Sequence, residues 1–207
     1  MLLFFSCLFS GCTQTAQTSY STGKISRIIQ NNLQEKYNEK FTVQSIKEVD
    51  EGINFSNMAY YANCISESSV TPFSVRIEKD GTNMTDNYEG YFYKDIIDED
   101  IKNILSRIDY MEFYYDDSVF NLTDIKYGSA ADYIKSGNVD YVSEIDIHAT
   151  TKESVLSNVS LLIDSLQEKH YGFNFAFHWN DKTVYFIRGG NEPEFTRQDI
   201  ERKFFYF

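Results

Sequence analysis

Apolar residues recur at helical spacing early in the chain, with Ile25, Ile28, Ile29, Leu33 and Tyr37 on one face. The spacing predicts a helix over about 23–38, with Ser21 or Thr22 placed to cap it. Period two then takes over. Phe41-Thr42-Val43-Gln44-Ser45-Ile46 predicts a strand, Met58 to Ile65 a second, and Phe73 to Glu78 a third with Phe73, Val75 and Ile77 facing inward. Asp80-Gly81 closes that run as a turn. A second helix is predicted over about 95–108, with Ile97, Ile101, Ile104, Leu105 and Ile108 on its inner stripe. Asp95, Asp98, Glu99 and Asp100 crowd its first turns, where the helix dipole favours negative charge.

The second half repeats these ingredients. Met111 to Tyr115 predicts a strand, 129–136 a short helix, and Tyr141 to His148 another strand. Thr150-Thr151-Lys152-Glu153 has the form of a capping box, opening a long helix with Val155, Val159, Leu162 and Leu166 inward. Phe173 to Trp179 and Lys182 to Arg188 predict a hairpin across Asn180-Asp181. A last short helix starts at Thr196, with Phe195 and Ile200 as a hydrophobic staple. Leu33-Gln34-Glu35-Lys36-Tyr37 and Leu166-Gln167-Glu168-Lys169-His170 share four residues at a helix end before a strand. Helices separated by runs of adjacent, alternating strands predict an α+β fold, with mainly antiparallel sheet packed by three main helices. The expected organisation is one domain over 23–207, with two similar α+β halves at 23–109 and 110–207.

Composition narrows the partners. The chain has 207 residues with 42% hydrophobic and 16% aromatic residues, enough for a real core. Its net charge of −12 repels nucleic acid and anionic headgroups, so no nucleic-acid partner is expected. Three cysteines are too few for a disulfide scaffold. Cys64 lies in an apolar run and is expected to be a buried, inert thiol.

Residues 1–11 are uncharged and mostly apolar, too short to span a bilayer but long enough for the core of a signal peptide. Leu8-Phe9-Ser10-Gly11-Cys12 resembles the lipobox of bacterial lipoproteins, departing from it at Phe9, where an aliphatic residue is usual. The resemblance implies lipidation of Cys12 and a lipid-anchored, extracytoplasmic protein at the cell membrane, touching the membrane through its lipid alone. Residues 12–22 are polar and uncharged and are expected to serve as a flexible tether. With the helix end at Leu33 to Phe41, the chain is similar to uncharacterised small lipoproteins of Gram-positive bacteria, a resemblance that carries no activity.

Catalytic motifs are scarce. Ser21-Thr22-Gly23-Lys24 fits Ser-x-x-Lys, but the companion motifs are absent, since Val184 follows Lys182-Thr183. There is no phosphate loop, no Gly-x-Ser-x-Gly elbow and no His-Glu-x-x-His helix. The acidic stretches at 95–100 and 112–117 lack the order of an EF-hand loop. No cofactor and no metal are called for. Alternation places Val142, Glu144, Asp146 and His148 on one face of their strand and His178 on the matching face of its own. If those strands are neighbours, Glu144, Asp146, His148 and His178 could converge as a hydrolytic or metal-dependent site. The competing expectation is a non-enzymatic binding or interaction module. Its surface would present Tyr91, Tyr93 and Tyr114 within an acidic rim of Glu89, Glu112 and Asp116, suited to a basic protein or peptide. That reading takes Tyr91 and Tyr93 to share a face of an extended segment, and Tyr114 and Tyr115 to point to opposite faces.

Overall fold

The computed structural model describes residues 20–52 and 58–206. Cys12, the signal run 1–11 and the tether up to residue 19 lie outside the described residues. The first helix, α1 (Thr22–Tyr37), is followed by β1 (Phe41–Asp50), β2 (Met58–Ser66), β3 (Phe73–Glu78) and the two-residue β4 (Thr85–Asp86). Two helices follow, α2 (Tyr88–Phe92) and α3 (Lys94–Leu105). The remainder runs β5 (Met111–Phe120), α4 (Ala130–Lys135), β6 (Val139–Ile147), α5 (Lys152–Glu168), β7 (Gly172–Trp179), β8 (Lys182–Arg188) and α6 (Arg197–Phe205). The fold is α+β, with two four-stranded sheets of order β1-β2-β3-β4 and β5-β6-β7-β8.

The helix stripes pack as their spacing predicts. Ile25, Ile29 and Leu33 of α1 are fully buried against the first sheet, and Val155, Val159, Leu162 and Leu166 of α5 against the second. The strands alternate as well: Phe73, Val75 and Ile77 are buried on β3, and Phe173, Phe175 and Phe177 on β7. Cys64 is buried on β2, and burial pushes its thiol up to about 12, so it stays a protonated apolar filler at neutral pH.

Sheet pairing is antiparallel except between β6 and β7, where Asp140 faces Gly172 and Asp146 faces His178 in a parallel register. The cause is the connection. The helix α5 intervenes, and a crossover of that length returns the chain to the same end of the sheet.

Capping differs in detail from the sequence expectation. Ser21 occupies the N-cap position of α1 but its hydroxyl makes no cap bond. Thr151, not Thr150, caps α5, its hydroxyl accepting from the Ser154 amide. At α6 the Thr196 box closes with Asp199, while Ile200 and Phe195 join the core on either side of it.

The two halves part elsewhere than at residue 109. Ile97, Ile101, Ile104 and Ile108 of α3 belong to the core under the second sheet, whereas Tyr88 belongs to the core of the first. Tyr91 packs against both, so the boundary falls within α2. Each Leu-Gln-Glu-Lys stretch ends a helix beside an aspartate, Asp86 on β4 for the first and Asp100 on α3 for the second. Lys36 and the Tyr37 hydroxyl meet Asp86; Lys169 and the Tyr171 hydroxyl meet Asp100.

Candidate functional site

Where the halves meet, buried charge collects. The helix α1 ends because Asn38 takes a left-handed conformation (φ 58°), its amide donating to the Gln34 carbonyl. That turn leaves Lys36 and Tyr37 beside β4. Asp86 is fully buried there. Its carboxylate accepts from Lys36 Nζ at 2.9 Å, from the Tyr37 hydroxyl at 2.7 Å and from the Tyr88 amide at 3.1 Å. Its backbone pairs in both directions with Thr123, at 3.0 and 2.9 Å, and so joins the halves. Beside it, Asn87 accepts from the Ser74 amide at 2.7 Å and donates to the Phe120 carbonyl at 3.3 Å.

The next turn, α2, is helical rather than extended. Gly90 sits against the ring of Phe120, and a Cβ there would lie 2.2 Å from Phe120 Cγ. Only glycine permits this approach. Glu89, expected on an exposed rim, is buried, and its carboxylate accepts from the Tyr127 amide at 2.8 and 3.1 Å.

These elements enclose a cavity of about 240 Å³. Four tyrosines (Tyr37, Tyr88, Tyr93 and Tyr127) and Phe92 line it, with Glu39, Glu89 and Lys126 as its charges. The Tyr88 hydroxyl donates to Glu39 Oε2 at 2.6 Å. Burial works against the Glu39 carboxylate, but hydrogen bonds with Ser68 and Tyr88 hold it below its ordinary value. Burial, reinforced by Asp86, lifts the Tyr37 phenol far above the tyrosine range, so it remains a hydroxyl donor. The ammonium of Lys126 stands 5.7 Å from the centre of the Tyr37 ring. Such a lining offers ring faces and carboxylates to an organic cation.

Burial also raises Glu89, outweighing the attraction of Lys36 and Lys126. The folded chain therefore holds this proton more tightly than the unfolded chain. Stability from this group is complete below the ordinary glutamate value of 4.5 and is lost as pH rises through the raised one. Glu89→Gln should flatten that part of the stability profile and leave the protein at least as stable as wild type at pH 7. Urea midpoints measured between pH 4 and 8 check this. A variant profile parallel to the wild type would contradict it.

The residues expected to bind do not form one surface. Tyr93 lines the cavity. Tyr91 is half-buried at the junction, its ring 5.1 Å from that of Phe120. The two do not share a face, because α2 and the turn at Tyr93 are helical. Tyr114 lies away on β5, 37% exposed on the outer face of the second sheet with Glu112. Hydrogen bonding with Glu112, with Asp146 nearby, pushes its phenol up to about 12. Tyr115 is also exposed, at 84%, because a bulge between Tyr114 and Asp117 breaks the alternation and puts Tyr115 at φ 53°. Of the expected rim, Glu112 and Asp116 are exposed and Glu89 is not.

β6 and β7 are neighbours, and Asp146 faces His178 across them. His148 Nε2 lies 3.3 Å from Glu112 Oε2, while His178 Nδ1 lies 3.0 Å from Thr183 Oγ1. Glu144, Asp146 and His148 nevertheless follow one another along one strand, and Glu144 and His148 stand roughly 13 Å apart at strand rise. The four do not converge. Among the described residues, no group of three or more His, Cys, Asp or Glu side chains is spaced to hold a metal ion.

The sequence reading missed Tyr37, Glu39, Lys126 and Tyr127, whereas Tyr88 stood in the aromatic cluster at 88–93 that it weighed for an interface. Tyr37 looked like one more residue of the apolar stripe of α1. The one available signal was the density of tyrosine and acid around 86–93.

No family model matches the chain, and no curated protein is significantly similar to it. A crystal structure of a DUF5037 family protein from Ruminococcus gnavus ATCC 29149 is similar, with a TM-score of 0.42 and 16% identity. The match covers 86% of this chain and 98% of that one. At that level the likeness carries no conclusion about fold or function.

Proposed function

We propose that this protein is a non-enzymatic binding module, anchored to the outer side of the cell membrane by lipid on Cys12, that takes basic proteins or peptides. The observation that supports the partner is the junction cavity, where four tyrosines and two carboxylates, against the single ammonium of Lys126, line a space suited to one cationic side chain. The net charge of −12 favours encounter with a basic partner at long range. Tyr93 is the one tyrosine of the expected surface that contributes to this cavity; Tyr91 and Tyr114 have no part in it. The support for the anchor is the apolar run ending in Ser10-Gly11-Cys12, followed by an uncharged polar stretch.

Two measurements test the halves of this reading. Radiolabelled palmitate should enter the wild type and not Cys12→Ala; equal labelling would end the anchoring proposal. A lysine- and arginine-rich peptide titrated into the full chain should bind more weakly as salt rises. Tyr93→Ala should then cost about 0.5–2 kcal/mol of affinity, the usual range for a cation on an aromatic face. Binding indifferent to Tyr93→Ala and to Glu39→Gln would remove the cavity from consideration.

A further inference from the structure

The rings of the junction cavity stand at angles to one another, as the walls of a box do. Tyr37 and Tyr88 lie 4.7 Å apart at 61°, and Phe92 and Tyr93 lie 5.1 Å apart at 74°. Phe92 is 62% exposed, so the box has a wall that reaches solvent. Ring faces carry the negative part of the aromatic quadrupole, and several faces around one space attract a cation without supplying any hydrogen-bond acceptor.

The carboxylates of the cavity are already in use as acceptors. Glu39 Oε1 accepts from the Ser68 amide at 2.8 Å and Oε2 from the Tyr88 hydroxyl at 2.6 Å. Both Glu89 oxygens accept from the Tyr127 amide. The Tyr37 hydroxyl is committed to Asp86, and the Tyr127 hydroxyl accepts from the Asn138 side chain at 2.9 Å. The lining therefore keeps two carboxylates against the ammonium of Lys126, while much of its hydrogen-bonding capacity is spent within the protein. A primary ammonium brings three N–H donors, and each one left unmatched after leaving water costs free energy. A quaternary ammonium brings none. Its charge is spread over methyl groups that pack on ring faces.

We propose that the junction cavity selects a quaternary trimethylammonium group over a primary ammonium. The inference rests on the reading that this cavity takes a cation, and it narrows the chemistry of that cation. The group can belong to a small molecule such as choline or to a trimethylated lysine of a partner peptide. A volume of about 240 Å³ suits one such head group rather than a larger ligand.

The test is calorimetric titration into the full chain at physiological salt, where non-specific attraction to an acidic protein is screened. Choline and ethanolamine differ only in the methyl groups on nitrogen. Choline should bind saturably at one site, at least about tenfold more tightly than ethanolamine, a gain within reach of several desolvated cation–ring contacts. The neutral carbon isostere of choline should not compete. Phe92→Leu keeps apolar bulk at an exposed position and removes one ring, so it should weaken choline binding and leave the melting temperature unchanged. In a second arm, a lysine peptide is compared with its trimethyl-lysine form. Tighter binding of the trimethylated peptide assigns the group to a partner chain; choline binding without that gain assigns it to a small molecule. Equal affinity for choline and ethanolamine, competition by the neutral isostere, or choline binding indifferent to Phe92→Leu would overturn the proposal. If the unmodified lysine peptide still binds through Tyr93 and Glu39 in that case, the cationic reading of the cavity survives. If no cation binds, both fall.

Discussion

Leu162→Asp should leave the chain without a cooperative melting transition. Leu162 is fully buried on the inner stripe of α5, among Val155, Val159 and Leu166 in the core under the second sheet. Losing a buried leucine costs about 1.5–3 kcal/mol in burial alone. The carboxylate that replaces it has no partner there, and forcing such a group into an apolar site costs several kcal/mol more. Against a total stability of about 5–15 kcal/mol for a domain, the sum exceeds what most folds can lose. The adjacent Leu161 is 43% exposed and provides the control. Leu161→Asp should melt within about 1 kcal/mol of wild type, as surface changes do. Asp98→Ala, which breaks one exposed pair with Lys94, should be tolerated too. Thermal melts followed by circular dichroism distinguish these variants. A folded Leu162→Asp with an unchanged midpoint would mean that α5 presents its other face to the sheet.

Asp86→Ala should cost about 3–5 kcal/mol, the range for removing one partner of a buried ion pair. The carboxylate is buried while its lysine is largely so, and three donors from two elements converge on it. Alanine leaves the Lys36 ammonium with the Thr123 carbonyl at 3.3 Å as its remaining acceptor. It also strands the Tyr37 hydroxyl. Replacing Lys36 by methionine in the same chain should recover much of the loss, because the penalty comes from uncompensated charge rather than from a missing attraction. Urea unfolding of the two single variants and the double variant measures this directly. If Asp86→Ala costs no more than Asp98→Ala, the junction is not held by this group.

Both expectations follow from burial, yet they were unequally visible. Leu162 stands out from the sequence because Val155, Val159, Leu162 and Leu166 repeat at helical spacing. Its neighbours on the stripe report its environment. Asp86 has no such local signal. It lies 50 residues from Lys36, and it resembles any polar residue of the Thr-Asn-Met-Thr-Asp-Asn stretch that carries it. Glu89 misled for the same reason: an acid among tyrosines reads as a rim until Tyr127 is known to cover it.

The local patterns by themselves determined the elements and their inner faces, and hence an α+β chain with mainly antiparallel strands. Helical period, strand alternation and turn residues are set by neighbours a few positions away, and those are written side by side. Strand order, the parallel pairing of β6 with β7 and the allegiance of α3 to the second core were decided only in three dimensions. So were the helical course of α2 and the bulge that exposes Tyr115. Each depends on contacts between distant segments, such as Gly90 on Phe120 or Asp86 on Thr123, whose net energy depends on mutual burial rather than on either residue's type. The junction cavity is a product of those contacts, which is why its tyrosines could be counted in the sequence but not assembled from it.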